Sequence, residues 1–220
     1  MATTVEPTRT QPAAAPTVKK PWYQDRQRQL VAGLVVLAAI ILVAWFLVAS
    51  AQRKEEFAAR SLNQARAAAE AGNLPLASSE LQKLIAAYDG TDAASEAVIT
   101  LNQVRMVNGQ SELAVVGLRE FLAGKPPEQY QTPAYGLLAA ALENSKRWVE
   151  AGNAYTEASN TAGVEYLKAK YLVDAGRAFR QGGRIDDAAR VYRTVLQKYP
   201  NSPSVTEAEV RLAELTDGKM

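Results

Sequence analysis

The sequence contains neither cysteine nor histidine. Without cysteine there is no disulfide framework and no thiolate chemistry, and the chain suits an oxidising or a reducing compartment equally. Without histidine the commonest metal ligand, the commonest general base and every histidine-dependent triad are gone. A P-loop, a dinucleotide fingerprint, a nucleophile elbow and a metal-ligand cluster are missing as well. Gly182-Gly183 is too short to cradle a phosphate and reads as a turn. Glu143, Glu150 and Glu157 recur at regular helical spacing, which surface helices show routinely, so they read as a solvated face. The expectation is a protein that is not an enzyme and takes no cofactor.

Charge is absent from Gln29 to Gln52. Inside that window the run Leu30 to Ala49, LVAGLVVLAAIILVAWFLVA, would span about 30 Å as a helix, the thickness of a bilayer's hydrocarbon core. It keeps no polar stripe of the kind a buried helix in a soluble protein retains. It reads as one membrane-spanning helix, residues 30–49, within an anchor over residues 22–52, with Trp22-Tyr23 and Trp45 as interfacial aromatics. The rival is a cleaved signal peptide, for which Ala49-Ser50-Ala51 offers a small-x-small site. The apolar core of a signal peptide has roughly 7–15 residues, shorter than this run.

Residues 1–21, rich in Thr, Ala, Pro and Gln, bury too little apolar surface to offset ordering entropy and are expected to form a disordered tail. Five basic residues precede the run, and Arg53, Lys54, Arg60 and Arg66 follow it. That positive-inside bias points the tail to the cytoplasm and the large domain outward. The net charge of +2 belongs to the tail, because residues 50–220 hold 20 basic and 21 acidic side chains. Nothing in that balance argues for nucleic acid. No glycine or proline lies between Gly33 and Gly72, so the spanning helix is expected to continue into the first helix of the domain. The run has no pair of small residues at i, i+4, so it lacks the close-packing dimer motif.

Beyond the run there is no strand-like alternation. Apolar residues recur at helical spacing, with breaks near Gly72-Asn73, Asn108-Gly109, Ser145-Lys146 and Gly182-Gly183. Those breaks expose a period of 37 residues in which Ala77, Ala114, Ala151 and Ala188 correspond. Leu81, Leu118, Tyr155 and Tyr192 follow four residues later, then Leu84, Phe121, Ala158 and Val195. In the preceding helix Ala65, Asn102, Ala139, Gly176 and Ala213 share one register. Small residues where two helices approach, with large ones a turn later, suit a stack of helical hairpins. Thr132-Pro133 and Ser202-Pro203 offer a cap followed by proline at the first helical position, and Pro75 opens the second helix of the first hairpin. Ser204 and Glu207 have capping-box spacing, an alternative start for a final amphipathic helix expected to end at Gly218.

The pattern resembles the tetratricopeptide repeat. Leu172, Gly176, Phe179, Gly183, Ala188, Tyr192 and Pro200 fall at the family's W, G, Y, G, A, F and P positions. The second unit keeps Leu101, Gly109, Ala114 and Pro126, and the third has Lys146 in place of the turn glycine. The fold class expected is all-α: a transmembrane helix, then an α-solenoid of about four hairpins plus a capping helix over residues 53–220. In that family the first helix of each hairpin lines a concave surface along which partners lie. Carried over by register, the groove residues are Arg66, Gln103, Met106, Glu143, Asn144, Lys170, Arg177 and Arg180. A net charge of +5 over residues 166–200, from 8 basic and 3 acidic side chains, offers a candidate dock for an acidic partner or a lipid headgroup.

The layout resembles the YfgM-like ancillary subunits of the Sec translocon. That resemblance implies a bacterial inner-membrane protein, single-pass with a cytoplasmic N-terminus, whose periplasmic repeats bind protein partners, peptides or membrane-complex subunits, in a chaperone-like way. Two other readings keep the fold: an accessory subunit of another large membrane complex, and an outer-membrane assembly or Tol-Pal type repeat factor.

Overall fold

The computed structural model describes residues 22–216. The tail at 1–21, the side chains of Trp22 and Tyr23 and the expected stop at Gly218 lie outside the described residues. Two compact units are present, Met1–Ser50 and Ala51–Met220. Among the described residues there are nine α-helices and no strand: α1 (Trp22–Glu70), α2 (Leu74–Ala87), α3 (Asp92–Val107), α4 (Ser111–Ala123), α5 (Glu128–Asn144), α6 (Trp148–Thr161), α7 (Glu165–Gln181), α8 (Ile185–Lys198) and α9 (Val205–Leu215).

In the first unit the apolar side chains from Leu30 to Val48 stand exposed on α1. That helix is long and apolar enough to cross a membrane. It has no glycine or proline between Gly33 and Gly72 to interrupt it, and one helix carries residues of both units.

In the second unit every hairpin turn repeats one device. Gly72, Gly109, Lys146 and Gly183, at the same register, have φ of 79°, 73°, 58° and 73°. Around each, two amides cap the ending helix: Gly183 N donates to Arg180 O at 3.0 Å and Arg184 N to Phe179 O at 2.8 Å, as Lys146 N does to Glu143 O and Arg147 N to Leu142 O, both at 2.8 Å. These are Schellman closures, which need a left-handed residue. Glycine supplies it freely in three turns, and Lys146 is held there by the closure.

The register fills the core as the spacing requires. Ala77, Ala114, Ala151 and Ala188 are all fully buried, as are Leu81, Leu118 and Tyr192 one turn later. At Gly176 an added Cβ would lie 2.4 Å from the Tyr192 ring, so glycine is what lets α7 and α8 touch. The apolar interior forms two clusters. One joins Ala58, Leu62 and Ala65 of α1 to α2 and α3, and the other runs from Ala114 on α4 to Leu212 on α9.

Two helix starts differ from the sequence expectation. α5 begins at Glu128, so Thr132 and Pro133 lie inside it. The pair Pro126-Pro127 sets the extended approach and opens the helix instead, and Thr132 Oγ1 donates to Thr161 Oγ1 of α6 at 3.0 Å. α9 follows Ser204, the later of the two starts foreseen, but no side-chain cap bond forms there. Ser202 Oγ accepts from Ser204 N at 3.3 Å. Pro75 does open α2, behind an Asn73 side chain that accepts from Leu76 N at 3.2 Å.

Candidate interaction groove

The second half of α1 and then α3, α5, α7 and α9 are the first helices of successive hairpins. Within this set α3 packs against α5 and α7 against α9. The second helices are held apart: a cleft of about 530 Å³ separates α2 from α4, and smaller ones of about 270 and 310 Å³ lie between α6 and α8. On the first-helix side the stack closes along α3–α5 and α7–α9 and opens a cleft of about 470 Å³ between the N-terminal ends of α5 and α7, lined by Thr132, Pro133, Leu167 and Tyr171. On that side each helix presents a stripe at i, i+4, i+7 and i+11: Glu96, Thr100, Gln103 and Val107 on α3, Pro133, Leu137, Ala140 and Asn144 on α5, and Lys170, Asp174, Arg177 and Gln181 on α7.

Most of the groove residues expected from the sequence stand on or beside these stripes, but in different circumstances. Arg66 is bound to Glu96 of α3 at 2.6 Å, half-exposed. Gln103 and Asn144 are exposed. Met106 is half-buried against the main core, which makes it partly a packing residue. Glu143, Lys170 and Arg177 gather around one buried feature. The Tyr155 hydroxyl donates to Glu143 at 2.9 Å, and its ring stacks on Tyr171 with centroids 6.3 Å apart. Burial, with the negative charge of Glu143 beside it, pushes the Tyr155 phenol well above its ordinary pKa. The nearly buried Asp174 carboxylate accepts from Lys170 at 2.8 Å and from Arg177. Arg180 reaches α9 and pairs with Glu214 at 2.7 Å.

Several contributors were not foreseen. Tyr171 lies over Gly136, where a Cβ would sit 2.8 Å from its hydroxyl, so this glycine lets α7 close on α5. Glu55 of α1 accepts from the free N–H groups of Asp92 and Ala93 at 2.9 and 2.8 Å, capping α3 from outside. Asn102 is the one member of its register that is not small. It is buried, its amide donates to Val98 O at 2.8 Å and its carbonyl accepts from Arg105 at 3.0 Å. Gly117 of α4 makes the room, since a Cβ there would be 2.8 Å from the Asn102 oxygen. The three glutamates at regular spacing do not share a face: Glu143 is on α5, while Glu150 on α6 joins Arg147 at 2.8 Å and Arg119 of α4 at 2.5 Å. The hydrogen bond from Arg147, then that from Arg119, holds the Glu150 carboxyl down at about 2. Among the described residues no group of acidic side chains gathers to hold a metal ion.

Residues 171–202 match the tetratricopeptide repeat family. The second unit is a tetratricopeptide-repeat fold. Among solved structures it is similar to MamA, at 19% identity and a TM-score of 0.57 over 74% of this chain and 83% of that one. It is also similar to a tetratricopeptide repeat protein from Parabacteroides merdae, at 13% identity and a TM-score of 0.57 over 75% of this chain and 61% of that one. No curated protein matches. The matched repeat is the fourth hairpin, α7 and α8, where Gly176, Gly183, Ala188 and Tyr192 keep the family's small and large positions. In the second repeat Asn102 takes the small position of α3 and packs on Gly117 of α4, while Leu118 keeps the large position. The cleft of about 530 Å³ lies on the far side of that repeat, floored by Val98, Leu101 and Asn102 on the face of α3 opposite its groove stripe.

Proposed function

We propose that this chain is a non-enzymatic, membrane-anchored scaffold whose repeats bind protein partners along the first-helix groove. Residues 22–52 anchor it through the helix at 30–49, and residues 53–220 form the binding domain. The observation that carries this reading is the groove of aligned stripes on α3, α5 and α7, in a chain that also bears an exposed apolar helix long enough to cross a bilayer. Arg66, Gln103, Met106, Glu143, Asn144, Lys170, Arg177 and Arg180 line or edge the contact surface. The basic residues before the span favour a cytoplasmic N-terminus, which puts the repeats in the periplasm of a bacterial inner membrane. There the scaffold assists translocated or envelope proteins beside the Sec translocon.

Two measurements test it. Protease added to spheroplasts is expected to digest the repeats and spare the tail; the opposite pattern removes the periplasmic assignment. A photo-crosslinking residue at position 103 in the full chain, followed by blue-native electrophoresis and mass spectrometry, is expected to recover translocon subunits. Stoichiometric recovery of a different membrane complex would keep the scaffold and replace its address.

A further inference from the structure

Charge along the groove is paired at both ends and sparse in the middle, where Glu143 is the charged groove residue of α5. At the α1 end Arg66 is paired with Glu96. At the α9 end Lys170 and Arg177 share Asp174, Arg180 holds Glu214, and Arg211 lies between Glu207 and Glu214. These five cations share four carboxylates, and Glu143 of α5, whose charge acts on Arg177, is the fifth, so the charges of the groove balance. Between the pairs stand Gln103 and Val107 on α3 and Pro133, Leu137, Ala140 and Asn144 on α5, none of them charged. Val107 is 76% exposed, contributing little to the packing of its own repeat. Leu137 is half-buried on the main core with one side left to the groove.

Resting on the reading of the repeats as a protein-binding scaffold, we infer that the α3–α5 part of the groove takes an extended, uncharged polypeptide segment with aliphatic side chains. Val107, Leu137 and Ala140 cover the aliphatic groups, which is the source of affinity. The exposed amides of Gln103 and Asn144 supply hydrogen bonds to the segment's backbone. The Glu143 carboxylate is held by the Tyr155 hydroxyl at 2.9 Å, and a segment that buries its own charge against Val107 and Leu137 does so unfavourably. Local neutrality also removes the long-range steering that a charged tail would use.

The test uses the full chain in lipid nanodiscs and three fluorescein-labelled peptides of equal length: one of Val, Leu, Asn and Gln, one rich in Asp and Glu, one rich in Lys and Arg. Anisotropy titration is expected to show the uncharged peptide binding at least about tenfold more tightly than either charged one. Its affinity is expected to hold between roughly 50 and 500 mM salt, because no ion pair forms. Val107→Glu and Leu137→Glu each weaken it by about tenfold or more. Val107→Ser, at an exposed position that leaves the core untouched, weakens it less, and Arg193→Gln, exposed on the second helix α8, leaves it unchanged. Salt-sensitive preference for the acidic peptide, indifference to both glutamate variants, or no binding of any peptide overturns the inference. The crosslink at position 103 separates the two levels. Capture of a partner subunit with a charged preference in vitro leaves the scaffold standing and sinks its stated chemistry, capture of a second copy of this chain also sinks it, and capture of nothing sinks both.

Discussion

Replacing Lys146 by glycine should stabilise the array. Lys146 occupies the left-handed position that Gly72, Gly109 and Gly183 fill in the other three hairpins, with φ of 58°. A non-glycine residue in that region costs roughly 1–2 kcal/mol. Glycine's greater freedom in the unfolded chain returns roughly 0.5–1 kcal/mol of that. The net gain is about 0.5–1 kcal/mol, because the lysine side chain is exposed and the amides that close the turn belong to the backbone. For an array of this size the midpoint of thermal unfolding should rise by about 1–4 °C. Circular dichroism melts of the full chain in detergent would read it, with Gly109→Ala as the mirror experiment. At Gly109 a Cβ meets nothing within 4 Å, so any loss there comes from the backbone alone, and it should be of similar size and opposite sign. An unchanged or lowered midpoint for Lys146→Gly, with Gly109→Ala clearly destabilising, would refute the claim that Lys146 is held in a strained turn.

Gly176→Ala should cost about 1–3 kcal/mol, because its Cβ would fall 2.4 Å from the fully buried Tyr192 ring, whereas Gly163→Ala, with open space around it, should be near neutral in the same urea titration. Tyr155→Phe and Glu143→Gln should each destabilise by about 1 kcal/mol and together by less than their sum, a double-mutant cycle that reports the 2.9 Å bond between α5 and α6. Glu150 has its folded pKa depressed to about 2 from 4.5. Its contribution is therefore complete above pH 4.5 and disappears as pH falls through 2, so wild type and Glu150→Gln should converge in stability over that interval. With the side chain nearly half-exposed, the difference at neutral pH should stay within about 1 kcal/mol and shrink in high salt.

Most of the fold is legible in the order of residues because its rules are local and periodic. A left-handed turn needs glycine or a substitute, a close helix crossing needs a small side chain, and both recur every 37 residues from Gly72 and Ala77 onward. The same arithmetic located the apolar run that α1 carries. At Thr132-Pro133 local cap chemistry misleads, because the helix starts behind Pro127 and the threonine and proline lie inside it.

What the tertiary structure alone decided is which side chains meet. A net charge of +5 over residues 166–200 suggested free cations, but Lys170 and Arg177 share a carboxylate on their own helix, and Arg180 finds Glu214 one helix further on. Composition counts charges without pairing them, whereas helix register and packing bring chosen opposites within 3 Å. Asn102 breaks the small-residue register, and only the glycine opposite it, at position 117, explains how the hairpin still closes. The sequence by itself determined the repeat, its turns and its long apolar helix, because each depends on neighbours a few residues away. The pairing of Arg66 with Glu96 and of Arg180 with Glu214 depended on contacts between helices, which no local pattern encodes.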